Sequence, residues 1–197
     1  CKLLRRCFKA GLSVGERDAD GKSLLHLAVR GDHTKAVMLL LAEGADLAAV
    51  DGTGRTVLHI ACEMGLPETA EVLMEAVCAK DPMGLDLVTP SKNETALHMA
   101  VRSGSRSICR QLVRHGADVS VRNSEHKTAL EYAPRDLQAL VMRAIEDRSE
   151  QAESENAAAC KAAAEGDEAA LQAELAGGKS VDAANTVGQS LLQLAAG

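Results

Sequence analysis

One six-residue phrase recurs along this chain, and it constrains the fold more than any other feature. Ser23-Leu24-Leu25-His26-Leu27-Ala28 is followed by Thr56-Val57-Leu58-His59-Ile60-Ala61, Thr95-Ala96-Leu97-His98-Met99-Ala100 and Thr128-Ala129-Leu130-Glu131-Tyr132-Ala133. Ser190-Leu191-Leu192-Gln193-Leu194-Ala195 is a looser copy. The copies start 33, 39, 33 and 62 residues apart. A period of this length marks a stack of small supersecondary units, none of which buries its apolar face without a neighbour.

Each phrase reads as a helix start. Asp18-Ala19-Asp20-Gly21 supplies turn chemistry, and Ser23 then serves as N-cap for a helix whose apolar face is Leu24, Leu25, Leu27 and Ala28. Gly31-Asp32 breaks it. A second helix is expected over Thr34 to Glu43, burying Ala36, Val37, Leu39, Leu40 and Leu41 and closed by Gly44. The second unit repeats this with Gly65 and an outer helix from Glu68 to Ala76, and the third with Gly104 and Ser107 to His115. The fourth departs: Glu131 replaces the histidine, and Pro134 stands where the first helix should continue.

The T-P-L-H-x-A pattern at this period resembles the ankyrin repeat. The resemblance implies an all-α solenoid of helix-turn-helix units with short β-hairpin-like fingers. It also implies that the recurrent His26, His59 and His98 tie each helix start to neighbouring backbone. As metal ligands they would have to converge, whereas they lie on successive units. The asparagine that many such repeats carry after the outer helix is replaced by Ala48, Ser120 and Asp182, so the hydroxylation known for some members is not expected.

The 39-residue interval places six extra residues within Val77 to Pro90, where two prolines and a glycine oppose a continuous helix. A longer outer helix followed by an extended finger is expected, either a tolerated insertion or a binding loop. The domain reading is an array over 1–145, an acidic linker or tail over 146–156, and one and a half further units over 157–197. Cys1 to Gly11 reads as an outer helix without its first helix, and 185–197 as a finger and first helix without its outer one. The chain is expected to be a piece of something longer; alternatively 157–197 packs against residues 1–10 in the same molecule or a neighbour, which would make self-association through the termini possible.

Composition bounds the function. The 197 residues are 46% hydrophobic with only Phe8 and Tyr132 as aromatics, so aliphatic residues must form the core. A net charge of −6 argues against a general nucleic-acid binder. The six cysteines show no paired spacing and read as reduced, which fits a cytoplasmic compartment, with the nucleus also open. No apolar run of about 18 residues exists to span a membrane. No nucleophile elbow, phosphate loop or zinc-protease motif occurs, so neither an enzyme nor a cofactor or metal is expected. Arg106, Arg110 and Arg114 form a basic ridge on one outer helix, read as a solvated face or, alternatively, as a convex site for an acidic partner or phosphorylated peptide, unless Glu68, Glu71 and Glu75 of the preceding helix neutralise it.

The function expected is protein–protein recognition by a scaffold or adaptor. Such domains usually contact partners through finger tips and the exposed ends of first helices. The repeat register puts those slots at Asp20, Lys22 and Arg30; Thr53, Arg55, Glu63 and Met64; Lys92, Glu94, Arg102 and Ser103; and Glu125 and Lys127. Met64 is the expected apolar anchor, and reversing Arg55 with Arg102 should weaken a partner without loss of stability. The alternatives are a targeting or regulatory domain of a larger enzyme or channel, and a self-assembly element.

Overall fold

The computed structural model describes residues 13–80 and 82–165, with side chains at 13–80 and 84–154. Expectations for Cys1 to Gly11 and for residues 166–197 lie outside the described residues. The chain divides into two compact units, Cys1–Ala144 and Ile145–Gly197.

The first unit is a stack of helix pairs: α1 (Leu24–Arg30) with α2 (Thr34–Ala42), α3 (Val57–Met64) with α4 (Pro67–Lys80), α5 (Ala96–Arg102) with α6 (Arg106–His115), then the single turn α7 (Ala129–Tyr132) and the start of α8 (Arg135–Glu165). The inner helices α1, α3, α5 and α7 pack in sequence, and the outer α2, α4 and α6 pack beside them. Burial separates the two rows. Every residue from Ala96 to Val101 in α5 is buried, because an inner helix has neighbours on both sides. In α6 only Ile108, Cys109, Leu112 and Val113 are buried, the stripe of a helix with one face in water. The same logic trims the expectation for α2: Val37, Leu39 and Leu40 are buried, but Ala36 and Leu41 only partly.

Each inner helix opens as the sequence predicts. Ser23, Thr56 and Thr95 cap α1, α3 and α5, with the histidine three residues on completing the capping box from its side chain. α7 differs. Pro134 forces the preceding Ala133 out of helical geometry (ψ 138°) and ends the helix after one turn. Gln138 Nε2 then donates to the carbonyls of Leu130 and Ala133, 3.0 Å each, satisfying groups the truncated helix leaves open.

Fingers join the pairs. Asp18, Asp51 and Asn123 each accept two amides of their own turn on the side-chain oxygen, and single antiparallel bridges close Arg17 to Ser23, Val50 to Thr56 and Arg122 to Thr128. No longer strand occurs among the described residues. Adjacent fingers are stitched by the Gly52 amide on the Asp20 carbonyl, 2.9 Å, and by Ser124 on Lys92, 2.8 Å. A Cβ at position 52 would lie 2.5 Å from the Asp20 oxygen, so this stitch requires glycine.

The extra residues lengthen α4 to Lys80, then form a 3-10 turn over Pro82–Asp86 and an extended lead into a finger one residue longer than the others. Pro67 starts α4, since the first helical position needs no amide hydrogen. The acidic stretch 146–156, read from sequence as a linker or tail, is helical within α8, which continues to Glu165 without a break.

Candidate partner-binding surface

The three histidines are structural by geometry. His59 Nε2 lies 3.1 Å from the Glu94 carbonyl oxygen, which can only accept, so that nitrogen carries the proton. Nδ1 is therefore the acceptor, taking the Thr56 hydroxyl at 2.7 Å and the Thr56 amide at 3.3 Å. His26 repeats this between Ser23 and the Arg55 carbonyl, and His98 between Thr95 and the Lys127 carbonyl. Each ring thus locks its own helix start to the next finger. Glu131 in the fourth unit ends the series and instead pairs with Arg122.

Burial pushes the pKa of His26 and His59 down, outweighing the carbonyls that favour the proton. Their unfolded rings titrate near 6.5. Because the folded values are depressed, this contribution to stability is complete above that pH and is lost as pH falls through the lowered values. A second window belongs to Asp51. Its burial raises the carboxyl, but the Thr53 hydroxyl, the Arg55 and Thr53 amides and the Arg55 charge together hold it at about 2. That contribution is present above 3.8 and is lost only as pH falls toward about 2. We expect melting temperature to decline in two steps on acidification, the first absent in a His26→Gln, His59→Gln variant.

The residues expected to face a partner are not equally available. Arg55 donates to Glu63 at 2.7 Å, to Asp51 at 3.1 Å and to the Thr53 hydroxyl at 2.8 Å. Arg102 grips Glu94 through two bonds of 2.9 and 3.0 Å, and Glu94 is itself buried. Positions 55 and 63 correspond in the repeat to 94 and 102, so the same finger-to-helix ion pair recurs with its polarity reversed. These groups are engaged within the chain. Reversing Arg55 would set a third carboxylate against Asp51 and Glu63, and reversing Arg102 would strand the buried Glu94, so this pair of changes is now expected to lower stability as well. Asp20 is drawn to Lys22 at 2.6 Å, and Ser103 Oγ donates to the Ala100 carbonyl. Arg30 and Lys92 are exposed and make no ion pair among the described residues, and Met64 is 47% exposed.

Five of the expected residues meet in one groove. Lys92, Glu94, Arg102 and Glu125 line a cavity of about 420 Å³ with His98, Val101, Tyr132 and Pro134, and Lys127 stands over the Tyr132 ring at 5.2 Å from its centre. Tyr132 is the feature sequence reasoning missed. Its slot is that of Ile60 and Met99, which are buried, and of Leu27, which against expectation is 45% exposed; Tyr132 is 44% exposed. Its hydroxyl accepts from Asn123 at 2.9 Å and donates to Glu125 at 2.8 Å, which leaves a fixed aromatic face in solvent. That hydrogen bond, then the Lys127 charge, holds the Glu125 carboxyl below the usual range. The available signal was its status as the one tyrosine, and with Phe8 one of two aromatic residues, in an aliphatic chain.

The Arg106–Arg110–Arg114 ridge is not neutralised by α4. Arg106 pairs with Asp136, and Arg110 and Arg114 make no ion pair among the described residues. Cys62 and Cys109 are free thiols buried in the core; burial raises both, Cys109 to about 12. No described helix is long and apolar enough to cross a membrane.

Stacked helix pairs joined by hairpin-like fingers, each locked by a histidine, define a repeat solenoid. Residues 1–83 and 76–143 match the family model for ankyrin repeats, three copies, and the chain belongs to that family. Among curated proteins it is 35% identical over 117 residues to a Caenorhabditis elegans homologue of transient receptor potential cation channel subfamily A member 1, covering 59% of this chain and 9% of that protein. It is 33% identical over 112 residues to the mouse B-cell lymphoma 3 protein homologue (54% of this chain, 24% of that protein). It is 34% identical over 109 residues to zebrafish ankyrin repeat and SOCS box protein 11 (55% and 35%). The matched segment is thus a minor part of each of these relatives. Ankyrin repeats are protein-interaction modules in general and generally non-catalytic, and these relatives differ widely in kind.

Proposed function

We propose that the array recognises a partner protein across its concave side, centred on the groove between the third and fourth units. The observation that carries this reading is the exposed, hydrogen-bonded Tyr132 ring beside Lys127, Lys92 and the Arg102–Glu94 pair. Aromatic and arginine side chains held rigid in a desolvating groove are the usual anchors of an interface. Met64 and Arg30 extend the surface toward the first units. Asp20, Lys22, Thr53, Arg55, Glu63, Ser103 and Glu125 contribute hydrogen bonds at its margin, most already oriented by partners within the chain. The domain boundaries, 1–145 for the array, belong to this proposal. So does a reducing compartment, the cytosol or nucleus, which suits the free Cys62, Cys78 and Cys109.

The test uses peptides selected from a displayed random library on the whole chain. Tyr132→Ala and Met64→Lys should each weaken concave binders about tenfold or more; Met64→Lys should leave melting temperature within a degree or two, whereas Tyr132→Ala also removes the hydroxyl that accepts from the buried Asn123 and should lower it by a few degrees. Binders indifferent to both changes would sink the concave assignment.

A second reading makes the array the recognition segment of a longer protein such as a channel. It rests on the small fraction of each relative that the match covers. The complete reading frame decides it.

A further inference from the structure

The insertion after α4 is an ordered, packed structure. Leu85 is buried at 2% exposure and Thr89 at 1%, with the Thr89 hydroxyl accepting the Glu94 amide at 3.2 Å. Asp86 Oδ1 accepts the Asp118 amide at 2.8 Å, fastening the insertion to the following unit. Between the insertion and the preceding finger lies a slot of about 170 Å³ lined among the described residues by Leu47, Val77, Gly84 and Leu87, with Asp46, Ala48 and Lys80 also on its wall. A Cβ on Gly84 would come within 2.9 Å of Val77 Cγ1, so glycine leaves room there. Leu87 is 40% exposed, and Ala48 and Lys80 are exposed, so the slot opens to solvent.

Its size selects the occupant. Small-molecule sites run to roughly 300–1,000 Å³, whereas a dry aliphatic cavity of about 150 Å³ holds one benzene-sized group. A single large apolar side chain fits. Charge selects what flanks it. Asp46 accepts the Ala48 amide at 3.0 Å and keeps its negative charge at the finger end of the slot, whereas Lys80, at the α4 end, makes no ion pair among the described residues and sets the charge of a neighbour placed there. An acidic residue next to the anchor would complete that rim.

We infer that the slot between the insertion and the preceding finger is a second docking site, which takes a partner-protein segment carrying one large apolar side chain flanked by an aspartate or glutamate. The site is preformed, so little ordering opposes binding. It draws on none of the concave residues.

The test is again selection of displayed random peptides on the whole chain, sorted by competition. The expected result is a class with Leu, Ile, Met or Phe beside Asp or Glu. Its affinity should fall about thirtyfold in Leu87→Glu and in Ala48→Trp, and about five- to tenfold in Lys80→Gln. Tyr132→Ala should leave this class unchanged, so the concave site and the slot fail independently. Melting curves of the Leu87→Glu, Ala48→Trp and Lys80→Gln variants should match the parent, because these three side chains are exposed. The inference is overturned if no recovered peptide responds to Leu87→Glu or Ala48→Trp in folded protein, or if the responding class lacks the acidic neighbour or ignores Lys80→Gln.

Discussion

Truncating Leu73 to alanine is expected to lower the unfolding free energy by about 2–5 kcal/mol, measured by urea denaturation. Leu73 has no exposed surface and sits on α4, which packs against α2, α3 and α6. A cavity there is bounded by three helices already held by their own partners, so it cannot collapse fully. The position matters as much as the size. Stability in a repeat stack is close to a sum of unit and interface terms, and the second unit couples the first to the third. We therefore expect unfolding of the array to be broader, or split, in Leu73→Ala than in the parent. The exposed Glu75→Ala on the same helix should stay within about 0.5 kcal/mol of the parent. A sharp, unshifted transition in Leu73→Ala would show that α4 does not carry the coupling.

Replacing His59 by alanine should cost about 2–4 kcal/mol, although the ring contributes little apolar burial. The change leaves the Glu94 carbonyl with the Thr89 amide alone as donor and leaves the Thr56 hydroxyl and amide without their acceptor. Each buried polar group left unsatisfied costs about 1–3 kcal/mol. His98→Ala should cost less, because the Lys127 carbonyl it serves lies at a more exposed finger. The two can be separated by hydrogen exchange. Loss of His59 should speed exchange at the third finger, including the Glu94 amide, before the core of α6 responds. A loss below about 1 kcal/mol for His59→Ala would mean that water replaces the ring without penalty.

Much of this architecture is legible in the chain. The phrase beginning at Ser23, Thr56 and Thr95 encodes a capped helix and its lock, and both appear where the register puts them. What was misread has a common cause. Pro134 reads as a break, but the exposure of Tyr132 beside it does not follow from the register, because that slot is buried at Ile60 and Met99 and open at Leu27 and Tyr132. Arg55, Glu94 and Arg102 sit at surface slots, yet a partner eight residues away in the same unit engages them. The six extra residues were visible as an interval, whereas the slot they build with Asp46 to Ala48 was not.

The sequence by itself determined the layering. Apolar residues, caps and glycines recur at a fixed spacing, and each acts through neighbours a few residues away or in the same slot of the next unit. Only the tertiary structure decided which surface groups are free to meet another molecule. That depends on distances between side chains of adjoining units, where a shift of a few ångströms turns an exposed cation into one half of an internal ion pair, or an insertion into the wall of a pocket.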